Sequence, residues 1–183
     1  MADSEFYDAG ALQQIAVNLF HGWGYNFYRA ENQLRADDQL IRSKAAWLLG
    51  VAMASVDAAE SAYRHEYLPA PTRAKPFPDA AAIASAQKLE RLARAIGALE
   101  ASILHQPVPE NDRMTQRFRS EGATLLELID CDEQLVGQCE LFRSRVVDRT
   151  GLALLDGMGE LEAGLQAIQA TLRNRGTILL SPA

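Results

Sequence analysis

The sequence predicts an all-α protein, specifically an antiparallel up-down-up-down four-helix bundle with one very long helix and a short N-terminal leading helix. Alanine and leucine supply a large part of the apolar residues and only 7% of residues are aromatic, which favours helix over strand. Apolar residues also recur at steps of three and four along four long segments, as expected for helices that pack along a seam. The 183 residues, 48% of them hydrophobic, are enough for a single domain over 1–183 with one core.

The first two predicted helices meet at a pair of glycines. Residues 8 to 20 form the leading helix, with Asp8 as its N-cap. Gly22 and Gly24 each weaken a helix by roughly 1 kcal/mol relative to alanine, so we expect a bend there. The following helix, about 24 to 67, contains no proline. It would span about 65 Å and requires other helices to cover its apolar face, which consists of Phe27, Ala30, Leu34, Ile41, Ala45, Leu48, Ala52, Val56, Ala59 and Tyr63.

Three more helices are predicted after a proline-rich loop. Four prolines within residues 69 to 78 remove backbone donors and predict the loop, after which a helix starts at Asp79 and ends before Pro107. A third long helix covers about 111 to 148, and a last one covers about 152 to 174. Because the link between these two is short, the sequence is compatible either with a tight turn or with one bent helix.

Charge and cysteine usage restrict the partners and the compartment. The net charge of −6 and a pI near 5.1 oppose the basic surface that nucleic acids require, so nucleic acid is not predicted as a partner. The N-terminus lacks signal-peptide features and no segment approaches the roughly 20 apolar residues of a membrane span, so we expect a cytoplasmic protein that does not enter a membrane. Cys131 and Cys139 are eight residues apart in one helix, about 12 Å, and are predicted to be reduced, buried thiols.

Polar and aromatic residues alternate between His21 and Asp38, and this cluster is the strongest candidate for a binding site. One interpretation is an ordinary surface, in which Glu31 with Arg35 and Asp38 with Arg42 form ordinary i,i+4 pairs and the tyrosines lie at the edge of the core. The other interpretation is a buried polar network that lines a ligand or partner site at the end of the bundle where bulky apolar residues such as Phe27, Leu34 and Ile96 are expected to gather. The residues assigned to this predicted site are Trp23, Tyr25, Tyr28, Arg29, Asn32 and Asp37.

A metal site is a weaker hypothesis at the same end. His21 and His105 are predicted to lie near Glu110 and Asp112, which together could bind zinc or another divalent ion. The competing interpretation is that both histidines are simply solvated. Three carboxylates are predicted to point inward, namely Asp37, Glu121 and Asp132, but the Glu-x-x-His pairs of di-iron bundles do not occur.

The sequence carries no motif for a reaction, since it has no nucleophile elbow, phosphate loop or dinucleotide fingerprint. We therefore expect a non-catalytic helical bundle that binds a protein partner or itself. A homodimer is predicted because the very long helix extends beyond the next one and leaves apolar surface uncovered. The alternative is a small-ligand or metal-binding bundle that uses the cluster at residues 21–38. The sequence requires no cofactor.

Overall fold

The computed structural model describes residues 5–24, 34–73, 75–106 and 121–180. Within these ranges the chain is helical and contains no strand, which confirms the all-α class. A single 3-10 turn, Glu5–Tyr7, precedes the α-helices. The α-helices are α1 (Ala9–Trp23), α2 (Leu34–Tyr67), α3 (Ala80–Leu104), α4 (Glu121–Val146), α5 (Gly151–Asp156) and α6 (Met158–Leu180).

Two helix starts follow from aspartate caps, as the sequence predicted. The Asp8 carboxylate accepts a hydrogen bond from the Ala11 amide at 3.1 Å, and Asp79 accepts one from the Ala81 amide at 3.1 Å. At its other end α1 stops at Gly24, whose φ of 70° is the left-handed conformation that glycine adopts without strain. The first part of the long helix predicted over 24–67 falls outside the described residues.

α2 and α3 form an antiparallel pair. The Glu100 side chain lies over Gly50 and the Met53 side chain lies over Gly97, and these two contacts, which run in opposite directions along the two helices, show the antiparallel arrangement. α2 extends for 34 residues, about 50 Å, and is the longest described helix. Its predicted apolar face is buried, with at most 7% exposure at Ile41, Ala45, Leu48, Ala52, Val56, Ala59 and Tyr63.

A tight turn joins α4 to α5. Of the two interpretations of this link, the tight turn is therefore correct and the single bent helix is wrong. Asp148 adopts a φ of 60°, and the Thr150 hydroxyl then caps α5 by accepting from the Ala153 amide at 3.3 Å. The single helix predicted over 152–174 is instead the two helices α5 and α6, and α6 continues to Leu180. Gly176 does not end this helix, although the sequence pattern predicts an end there, and a Cβ at this position would make an ordinary contact with the Gln106 side chain at 3.4 Å.

The core lies between α2, α4 and the helices that cover them. α2 packs along α3 and α4, while α4 also packs along α1 and α6. α1 crosses α4 at Gly137, where an added Cβ would lie 2.9 Å from the carbonyl carbon of Leu12. The 3-10 turn places Phe6, 1% exposed, against Gly164 of α6. None of the described helices is long and apolar enough to cross a membrane.

Candidate functional site

A buried ionic network occupies the end of the molecule where α2 begins and α3 and α6 end. Arg42 donates from Nε and Nη2 to Oδ2 of Asp38, at 3.0 and 2.8 Å. Its Nη1 donates to the carbonyl oxygen of Leu104 at 2.9 Å, which neutralises part of the negative end of α3. The interpretation that made Asp38 and Arg42 an ordinary surface pair is therefore wrong, since both residues are at most 7% exposed.

Arg175 of α6 joins this pair to α4. Its Nη2 donates to Oδ1 of Asp38, and its Nε donates to Oδ1 of Asp132 at 2.6 Å. Burial disfavours the charge of Arg175, but the carboxylates of Asp132 and Asp38 outweigh this penalty and raise the pKa of the guanidinium above its ordinary value. The network therefore contains two arginines and two aspartates that neutralise one another across three helices.

This ionic network is built to hold helices together rather than to transfer protons. Arginine remains protonated in proteins and cannot act as a base at neutral pH. Removing one partner would leave another charge buried, so the network fixes the relative positions of α2, α4 and α6. One donor of the network does not take part in these hydrogen bonds. Nη1 of Arg175 is buried, and no acceptor for it lies among the described residues.

The structure describes two of the six residues assigned to the predicted binding site. Asp37 is fully buried, next to the ionic network on α2. Trp23 is half-buried at the end of α1, where its ring packs on Phe20 with the centroids 5.8 Å apart. It also lies 5.1 Å from Nζ of Lys44, which connects α1 to α2 by a cation–π contact. The other four predicted residues lie outside the described ranges, namely Tyr25, Tyr28, Arg29 and Asn32.

The proposed metal ligands His21 and His105 are both exposed. Nδ1 of His105 lies 2.7 Å from the carbonyl oxygen of Ala101, in the last turn of α3. The ranges that the structure describes contain no group of three or more His, Cys, Asp or Glu side chains arranged to hold a metal ion. Glu110 and Asp112 fall outside those ranges, so the four-residue site stays a prediction.

The two cysteines are buried free thiols, as predicted. Burial raises the pKa of Cys131 to about 12, and the neighbouring Asp132 carboxylate acts in the same direction. Burial likewise raises the pKa of Cys139 above its ordinary range. Because the thiolate is the nucleophilic form, neither cysteine is suited to catalysis at neutral pH.

A shallow groove of about 180 Å³ lies at the opposite end from the ionic network. Arg145 and Arg149 line it together with Glu160 and apolar residues of α5 and α6. Arg145 is already paired with Glu5, and its Nε lies 3.5 Å from Glu160. The groove is therefore small and partly neutralised, and it does not resemble the enclosed, largely apolar sites that bind cofactors.

The side of α2 turned away from the core carries a second heptad pattern. We define the outer face of α2 as seven residues at alternating steps of four and three. Trp47, the third of these positions, is 58% exposed, and among the seven only Lys44 carries a charge. A large exposed aromatic side chain on a nearly uncharged face is typical of a protein interface. The outer face consists of Leu40, Lys44, Trp47, Val51, Ala54, Ala58 and Ser61.

Arg175 and Trp47 were not among the residues assigned to a site from sequence. The sequence nevertheless contains a pattern that points to each of these two residues. Arg175 continues the apolar spacing of Ile168 and Leu172 on α6, so it occupies a core position like Asp132 on α4. Trp47 belongs to a second apolar stripe on a helix whose first stripe had already been assigned to the core. Comparison with protein-family models, curated proteins and solved structures found no match to this chain.

Proposed function

We propose that this chain is a non-catalytic helical protein that binds another protein through the outer face of α2. The observation that carries the proposal is the 58% exposure of Trp47 in the middle of the longest described helix. Tryptophan is among the residues that contribute most to protein–protein binding because its large ring loses much apolar surface to water when a partner covers it.

The surroundings of Trp47 support a helical partner. Ala54 and Ala58 are exposed about two and three turns further along the same side of α2. Small side chains allow a second helix to approach closely, while the heptad spacing keeps the contact on one side of both helices. The buried thiols and the internally neutralised arginines leave no comparable argument for catalysis.

An interaction experiment at position 47 tests the proposal. A photoreactive phenylalanine analogue replaces Trp47 in one variant and Leu152 in the control, since Leu152 is also an exposed apolar residue, 49% exposed, but lies on α5. Irradiation in cells should give a discrete protein adduct from position 47 and none from position 152. If neither position gives an adduct, or both give the same diffuse products, the proposed function is wrong.

Two finer features belong to the same proposal. We propose that α2, α3, α4 and α6 form the up-down-up-down four-helix bundle, which the antiparallel pairing of α2 with α3 supports. We also propose a cytoplasmic location, which the two free thiols at Cys131 and Cys139 favour because reducing compartments keep cysteines unpaired.

Binding of a small ligand at the end that contains the ionic network is the second candidate function. The unsatisfied buried Nη1 of Arg175 favours it, because such donors usually bind an acceptor. Native mass spectrometry and elemental analysis of the purified chain test this candidate. A bound small molecule with an acceptor group that is lost in Arg175→Lys would support it, whereas a mass equal to that of the bare chain would contradict it.

A further inference from the structure

We infer that the protein that covers the outer face of α2 is a second copy of this chain, in a two-fold symmetric dimer with antiparallel α2 helices. This inference rests on the proposed function, since it names the partner for the same surface. In a two-fold dimer the same face is used by both copies, so it must be complementary to itself. The outer face of α2 meets this requirement in both size and charge.

The size of the side chains changes along the outer face. Its first half carries the large residues Leu40, Lys44 and Trp47, while its second half carries Ala54, Ala58 and Ser61. An antiparallel heptad pairing with Val51 opposite the partner's Ala54 brings Trp47 opposite the partner's Ala58. Each tryptophan then packs over small residues of the other copy. A parallel pairing would place the two Trp47 side chains against each other and the small residues against each other, which leaves a gap.

The distribution of charge also favours contact between two copies through the outer face of α2. Each chain carries a net charge of −6, so two copies repel each other over most orientations. The seven positions of the outer face include no carboxylate, and their one charged residue is Lys44, which is half-buried beside the Trp23 ring of its own chain and which the antiparallel pairing places opposite the uncharged Ser61. In this pairing the positions from Lys44 to Ser61 face the same stretch of the other copy, which gives about 25 Å, or about two and a half heptads, of contact, while Leu40 lies beyond it.

Light scattering of the full chain tests the dimer. At about 50 µM, where dimers with micromolar Kd are populated, the mass should be twice the 20.1 kDa of one chain. Trp47→Arg puts two like charges into the dimer contact and should reduce the mass to that of one chain, with an unchanged circular dichroism spectrum. Leu152→Arg replaces an equally exposed apolar residue on α5 and should leave the dimer intact. A single-chain mass for the unaltered protein, or a dimer that survives Trp47→Arg, would overturn the inference.

Cysteine cross-linking tests the antiparallel arrangement. Tagged Val51→Cys chains are mixed with untagged Ala54→Cys chains and oxidised, while the native thiols are buried and do not compete. The antiparallel pairing predicts that the mixed disulfide dominates. Equal or greater yields of disulfides between identical variants would indicate a parallel pairing and would overturn the arrangement that we infer.

The two proposals fail separately. If light scattering gives a single-chain mass but the photoreactive residue at position 47 captures a different protein, then the second copy is the wrong partner and the protein-binding function stands. If the chain is monomeric and position 47 gives no adduct, both proposals are wrong. An adduct of two identical chains from position 47, together with a dimeric mass that Trp47→Arg abolishes, supports both.

Discussion

Nε of Arg175 on α6 donates a hydrogen bond to Oδ1 of Asp132 on α4 at 2.6 Å, and the two side chains are 1% and 2% exposed. The same guanidinium also pairs with Asp38 on α2, so one side chain links three helices that are far apart in sequence. A buried ion pair contributes little net stability compared with apolar residues of the same size, but losing one member is costly because the other remains buried without compensation.

Arg175→Ala is therefore expected to destabilise the fold strongly. The substitution removes the guanidinium from the buried carboxylate of Asp132 and takes one of two arginines from Asp38. We expect a loss of about 3–5 kcal/mol in the free energy of unfolding, measured by urea denaturation. Arg143→Ala is the matched control, because Arg143 pairs with Glu140 on the same helix and is 29% exposed. It should cost about 1 kcal/mol or less, and equal losses in the two variants would show that the ionic network is not truly buried.

The sequence identified much of the helix pattern because the relevant signals are local. The caps at Asp8 and Asp79 and the proline-rich loop act within a few residues of where they occur. The end of α6 was missed because Gly176 costs helix propensity and so argued for an end there, whereas the helix continues past it to Leu180. The propensity of a single residue is a weak signal that the surrounding structure can override.

The candidate site likewise has one part that local patterns predict and one part that they cannot. An Asp38–Arg42 spacing of four residues is identical in a solvated pair and in a buried one, so the sequence could not decide between them. The decision comes from Arg175, which is 137 residues from Asp38 along the chain. The burial of Asp37 and Asp132 was predicted correctly, because each occupies a position where the heptad pattern requires an inward side chain.

Asp37→Ala provides a test of the buried start of α2. Asp37 is fully buried in the first turn of this helix, where a carboxylate is stabilised by the helix dipole. Its removal also takes an interaction from the groups around it, so we expect a loss of at least about 2 kcal/mol in unfolding free energy. Gln39→Ala, two residues further on and exposed, is the control and should stay within about 0.5 kcal/mol of the unaltered chain. Comparable values for both would place Asp37 on the surface.

Gly164→Ala tests how tightly the N-terminal 3-10 turn is packed. An added Cβ at this position would lie 2.7 Å from Cζ of the buried Phe6 ring, so the ring must move. We expect a loss of about 1–3 kcal/mol, which is typical of overpacking. Gly159→Ala in the same helix has nothing within 4 Å of the added Cβ and should be neutral or stabilising by up to about 1 kcal/mol.

A second substitution shows whether the loss in Gly164→Ala arises from Phe6. Phe6→Leu frees space beside α6, so the double variant Phe6→Leu with Gly164→Ala should lose less than the sum of the two single losses. Thermal and urea unfolding of the four proteins give this coupling energy. Strict additivity would mean that the added methyl group disturbs something other than the Phe6 ring.

Cys131 should make the fold less stable at alkaline pH. Its pKa is raised by burial from 9.0 to about 12, so above pH 9 the unfolded chain releases the thiol proton while the folded chain retains it. Stability linked to this thiol is therefore fully present below pH 9 and is lost as the pH rises from 9 to about 12. Cys131→Ala removes this dependence, and the free energy of unfolding in the variant should fall less steeply over that window, by up to about 1.4 kcal/mol per pH unit. Urea denaturation of both proteins at pH 8, 9.5 and 10.5 measures the difference, since the remaining tyrosine, lysine and Cys139 titrations are common to both. If the two stability curves stay parallel through pH 10.5, the thiol of Cys131 ionises equally in the folded and unfolded chains and is not shielded by burial between α4 and α6.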